Sequence, residues 1–146
     1  IHMLHVRTGN VTGMVSLIEK GLAQLSIEPI FIKAIKKYYS NVKFDLVMYS
    51  TPPITFCNAI EYVKRRDNAK TYLLLKDIFP QNAVDIGMMS KSGIKGHLYK
   101  FFRNKEKKLY GLSDYIGCMS PANVEYVKQN NMIFLWKKGC LYMVVI

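Results

Sequence analysis

The decapeptide Thr71-Tyr72-Leu73-Leu74-Leu75-Lys76-Asp77-Ile78-Phe79-Pro80 leaves the chain few choices of fold. Its apolar run, Tyr72 to Leu75, is too short and too uniformly apolar for an amphipathic helix. It reads as a strand covered on both faces, as in parallel sheets flanked by helices. Pro80 stops simple continuation of the strand. The charged pair before it places an acid at the strand's carboxyl end, where open α/β sheets keep their ligand crevice, so Asp77 is the candidate functional acid. Capping of the turn before Pro80 is the structural alternative for the same carboxylate.

Two further strands flank this one, at 44–50 and 115–119, and helical segments separate all three, so the βαβ rule predicts a parallel sheet with right-handed crossovers. His2 to Thr8 alternates loosely and suits an edge strand ending at the turn signal Thr8-Gly9-Asn10. Met14 to Tyr39 is helical in pattern, with a break expected at Pro29 and a second helix through Phe31, Ile35 and Tyr38. Thr51-Pro52-Pro53 is expected to open a helix directly at the end of the first strand. Two readings fit there: an anion such as phosphate held by Ser50, Thr51 and the free N–H groups, or simple N-capping by Thr51. Arg65 to Asn68 reads as a polar turn, and Gln81 to Gly93 as a surface loop around the crevice, with Met88 and Met89 packing into the core. Ile94 to Leu112 is a basic amphipathic helix: Lys95, Lys100, Arg103, Lys105, Lys107 and Lys108 interleave with Tyr99 and Phe102. It suits an anionic lipid surface or packing on the sheet with a solvated outer face, the second favoured because the helix must also cover the sheet. Ser120 is a natural N-cap and Pro121 a natural first residue of the next helix.

Composition narrows the partners. A formal charge of +11 on 146 residues calls for an anionic partner: nucleic acid, a phosphorylated ligand or an anionic membrane surface. No stretch reaches the ~18 uncharged apolar residues of a transmembrane helix, and no cleavable signal is evident, so a cytoplasmic protein is expected, either soluble or peripheral on the inner membrane face. Cys57, Cys118 and Cys140 are odd in number and lack C-x-x-C spacing, which fits reduced thiols. His2 and His5 lack an acidic or cysteine cluster, so no metal site is expected. Gly9 and Gly13 lack the G-x-G-x-x-G pattern, so no dinucleotide is expected either, and no other cofactor is called for.

Four stretches carry a family resemblance: Tyr49-Ser-Thr-Pro-Pro-Ile-Thr-Phe56, Leu75-Lys-Asp-Ile-Phe-Pro-Gln-Asn-Ala-Val-Asp85, Glu106-Lys-Lys-Leu-Tyr110 and Ser113-Asp-Tyr-Ile-Gly-Cys-Met-Ser-Pro-Ala-Asn123. In that order they resemble the N-terminal half of family-4 GT-B glycosyltransferases of bacterial surface-polysaccharide synthesis, over about Leu4 to Asn131. The resemblance implies a Rossmann-like, three-layer acceptor-side domain at 1–131, with strand tips facing a donor-binding domain across a cleft. It further implies that this chain starts after the family's first strand and lacks its donor domain.

The implied activity is transfer of a sugar from a nucleotide-diphosphate donor to a lipid-linked or saccharide acceptor in capsule or O-antigen synthesis, with the chain inactive alone. Asp77 would be the catalytic base, Ser50, Thr51, Ser120 and Asn123 would line the acceptor cleft, and Lys95, Lys100, Arg103 and Lys107 would face lipid phosphates on the inner membrane. Residues 132–146 depart from the family; Met132 to Trp136 and Cys140 to Ile146, split by Lys137-Lys138-Gly139, suit a β-hairpin or a strand added to an open edge, with a homodimer through that edge as the alternative. A different class also remains open: a non-catalytic basic module binding an anionic polymer or membrane surface. Nucleic acid ranks low because no nucleic-acid motif is recognisable.

Overall fold

The computed structural model describes residues 3–7, 17–51, 53–136 and 142–145. Thr8-Gly9-Asn10, Met14, Pro52, Lys137 to Gly139 and Cys140 lie outside these residues, as do the side chains of Lys95 and of the first apolar stripe through Leu25. The order is α1 (Leu17–Tyr38), β1 (Leu46–Ser50), α2 (Cys57–Asp67), β2 (Lys70–Leu75), α3 (Gln81–Asp85), α4 (Gly93–Leu112), β3 (Tyr115–Cys118), α5 (Pro121–Trp136) and β4 (Tyr142–Val145). The chain is α/β, with the expected strands in place and every strand pair parallel.

The sheet runs β1-β2-β3-β4 without reversal. A right-handed crossover carries its helix over the same face each time while the strand order keeps one direction. The helices accordingly form one layer, α1 against α2, α2 against α4 and α4 against α5. The burial of β2 records the result: Thr71, Leu73 and Leu75 are buried, whereas Lys70 is exposed and Tyr72 and Leu74 are only half-buried. The core lies wholly on the helical side, where Leu73, Leu75, Ile116 and Cys118 meet Ile60, Leu109, Tyr110 and Val127. Among the described residues the domain therefore has two layers, not three, and β2 is covered on one face. A third layer needs the strand order to turn back at a switch point, which this run of strands never does.

Other boundaries also move. Pro29 sits inside α1, which continues through it as one helix. Met3 to Arg7 forms no strand, although its residues alternate exposed and half-buried and Leu4 reaches a groove beside β1. Gln81 to Asp85 makes a short helix where a loop was expected, and Met88 is exposed rather than packed. Arg65 to Asp67 closes α2; the left-handed turn comes at Asn68, with φ 56°. There Asp67 accepts from the N–H of Phe44 at 3.1 Å, and Arg66 donates to the carbonyls of Tyr39 and Val42, pinning the α1–β1 connection to the end of α2. The C-terminal hairpin is replaced by the last turn of α5 followed by β4, parallel to β3. A strand is added to the sheet, but a hairpin would have required antiparallel neighbours.

Candidate functional site

Parallel register brings three strand tips to one end of the sheet. Ser50 pairs with Leu74, and Leu75 with Cys118, so Thr51, Lys76-Asp77 and Met119-Ser120 follow side by side. Thr51 organises this end from below. It is 1% exposed, and its Oγ1 donates to the carbonyl of Asp77 at 3.1 Å while accepting from the N–H groups of Lys76 and Asp77 at 3.2 and 3.3 Å. One hydroxyl thus fixes the backbone from which the Asp77 carboxylate projects. The side chain of Asp77 is exposed, and among the described residues it has no hydrogen-bond or ionic partner. The turn-capping alternative gains no support, because capping would have engaged that carboxylate. The Phe79–Pro80 peptide is cis, and Pro80 is buried.

Thr51 is not the N-cap of α2, a place that Phe56 takes, so neither reading of Thr51 finds its helix start there. Helix α2 begins only at Cys57, and its first-turn N–H groups already face an anion of the chain itself. Glu28, buried in α1, accepts from the N–H of Asn58, from the N–H of Ala59 at 3.1 Å and from Asn58 Nδ2 at 2.9 Å. A carboxylate at a helix N-terminus satisfies orphan donors and favours the positive end of the helix dipole. Glu28 escaped the sequence reading, although a lone acid in the apolar stretch Ile27-Glu28-Pro29-Ile30-Phe31 was a usable signal. Replacing it by alanine is expected to destabilise the fold by about 1–2 kcal/mol, read from the urea midpoint, with Glu28→Gln losing less.

Ser120 caps α5 as expected, accepting from the N–H of Asn123 at 3.2 Å. Its hydroxyl is thereby engaged in the helix start, and Asn123 stands half-buried in the same first turn. Ser50 is half-buried at the end of β1. The structure thus groups Ser50, Asp77, Ser120 and Asn123 at one end of the sheet, with Thr51 beneath them.

The basic helix divides. Lys100 is exposed and Lys107 half-buried. Arg103 does not face outward: its side chain is 13% exposed and turns into the α4–α5 seam. It pairs with the buried Glu106 and donates to the carbonyl of Asn130 at 2.9 Å and to Asn131 Oδ1 at 3.0 Å. Tyr110 donates its hydroxyl to the other Glu106 oxygen at 2.7 Å. Burial pushes the Glu106 carboxyl above its usual range, against the pull of Arg103 and Tyr110, and burial beside Glu106 drives the Tyr110 phenol far up. Glu106 and Tyr110, both on α4, thus hold Arg103 where it ties α4 to α5. Lys108 is likewise engaged, 2.9 Å from Glu61. What α4 does present outward is apolar and basic together: Leu98 and Phe101 are exposed, and the Lys105 ammonium lies over the Phe101 ring.

Other concavities lie away from this end of the sheet. A groove of about 530 Å³ and an adjoining one of about 320 Å³ run along β1 under α1, sharing Phe31, Ile35, Val47, Met48 and Val63. They are apolar and carry no titratable cluster. Among the described residues no group of three or more His, Cys, Asp or Glu could hold a metal, and no helix is long and apolar enough to cross a membrane. Cys57 and Cys118 are free thiols; burial pushes Cys57 up to about 11, which keeps it protonated and unreactive. In comparisons with known proteins, no family model, curated protein or solved structure matches this chain.

Proposed function

We propose that this chain is the acceptor-side part of a sugar-transferring enzyme, and that Asp77 is its general base. The observation that carries this reading is a solvent-facing carboxylate, unpaired among the described residues, whose backbone is clamped by a buried hydroxyl at the carboxyl end of a parallel sheet. Ligands of open α/β sheets bind at that end. A carboxylate held there can accept the proton of an incoming hydroxyl as it attacks the anomeric carbon and the donor's bond to the nucleoside diphosphate breaks, the diphosphate leaving with the electron pair, provided the carboxylate comes within hydrogen-bond reach. Thr51 is a positioning residue in this scheme, and Ser50 and Asn123 supply polar contacts beside the hydroxyl. The strand run without reversal is what one half of a doubly wound, Rossmann-like sheet looks like. The sugar donor, a nucleotide diphosphate sugar, would be held by a facing domain of the GT-B type.

The exposed Leu98, Phe101 and Lys100 would rest on the anionic membrane surface that carries a lipid-linked acceptor. The four resembling stretches support the family; Asp77 and its clamp support the role.

The test is titration of the chain with a prenyl-diphosphate-linked sugar in micelles, followed by amide shifts. Shifts at Ser50, Asp77 and Asn123, weakened roughly tenfold or more in Asp77→Asn, are expected, because a hydrogen bond to a charged group contributes about 1.5–3 kcal/mol. Binding that ignores Asp77 and falls steeply with salt would instead favour a module for anionic polymers.

A further inference from the structure

The second face of the sheet has no helix over it among the described residues. Across its middle runs the register row Met48, Tyr72 and Tyr115. The rings of Tyr72 and Tyr115 stack with centroids 6.3 Å apart. Beside this row lie Leu46 and Leu74; Leu46 is 47% exposed and Met48 58% exposed. Parallel sheets bury both faces almost without exception, because their strands are apolar on both sides. An apolar patch of this extent on a protein surface marks an interaction site.

We propose that this face is the interface between two copies of the chain, packed sheet to sheet about a twofold axis. The distribution of charge selects that occupant. Among the described residues the helices carry cations, as with Lys33, Lys36 and Arg65 of α1 and α2 and Lys108 and Lys128 of α4 and α5. On the bare face of the three central rows the charged position is Lys70, at the amino-terminal end of β2. Two copies meeting face to face therefore keep their like charges on the outside of the pair, and bring apolar and tyrosine side chains together about 10 Å apart, the spacing of stacked sheets. An anionic membrane would demand the reverse, cations beside the inserted apolar side chains. The contact is isologous, so each Met48 lies over the same patch of the other copy and the assembly closes at two.

The experiment is sedimentation equilibrium of the intact chain over a wide concentration range. The expected result is a mass approaching twice 16.8 kDa, with Met48→Lys raising the dissociation constant about a hundredfold or more because it would bury an unpaired charge. Met48 is exposed in one copy, so the variant should keep the circular dichroism of the parent; Met48→Ser serves as a second variant, with a smaller effect in the same direction. Lys100→Glu, on the helical layer, should leave the dimer intact. A parent that stays monomeric throughout overturns the proposal. So does a dimer indifferent to both Met48 variants, or flotation on vesicles that Met48→Lys abolishes.

Discussion

Arg103→Ala is expected to destabilise the chain by about 3–5 kcal/mol at neutral pH, the cost of stranding a buried charge by removing its partner. Glu106 is 2% exposed, and Arg103 is the cation that meets it, while the other guanidinium contacts tie α4 to the end of α5 at Asn130 and Asn131. The pH dependence distinguishes this from lost packing. Burial already raises the Glu106 carboxyl above its ordinary 4.5. A group whose folded pKa is raised contributes stability that is fully present below the unfolded value and is lost as pH rises through the folded value. Without Arg103 that folded value climbs further, so the variant should approach the parent below about pH 4.5 and fall away from it above. Arg103→Ala combined with Glu106→Gln should recover part of the loss at neutral pH. Urea denaturation of the three proteins across pH measures all of this, and a penalty independent of pH would show that the pair is held apart from the charge balance.

Arg103 also marks what the sequence could and could not convey. The strands β1, β2 and β3, their parallel sense and the N-cap at Ser120 were legible, because each rests on a local signal: an apolar run, a βα alternation, a serine before a proline. The direction in which a helical cation points was not. Arg103 and Lys100 sit three residues apart on one amphipathic helix, and only the position of α5 decides that one is locked in the seam and the other reaches water. The same limit explains Thr51. Its neighbours Pro52 and Pro53 advertise a helix start, yet the chain spends six residues crossing the strand tip, and the hydroxyl turns to the backbone of Asp77 on the next strand. Asp77 itself was legible, since the register that puts an acid at the end of β2 follows from the length of the apolar run.

The number of layers was the hardest quantity to read, and it yields the sharpest contrast in measurable energy. A run such as Tyr72 to Leu75 carries no alternation, so it fits burial on either one face or two. The fold resolves it at single-residue spacing: Leu73 is 0% exposed at the centre of the core, while Leu74 points the other way. Leu73→Ala is expected to cost about 3–5 kcal/mol, the upper part of the range for a fully buried leucine whose surroundings cannot collapse into the space. That is a large share of the ~5–15 kcal/mol that holds a domain together, and among the described residues this core has one helical layer to draw on. Leu74→Ala in dilute solution should cost about 1 kcal/mol or less. If the bare face joins two copies, the Leu74 penalty grows with protein concentration while that of Leu73 does not, because association stabilises by mass action. A Leu74 penalty equal to that of Leu73 in a monomeric sample would mean that the second face is covered within one copy, and the two-layer arrangement would have to be abandoned.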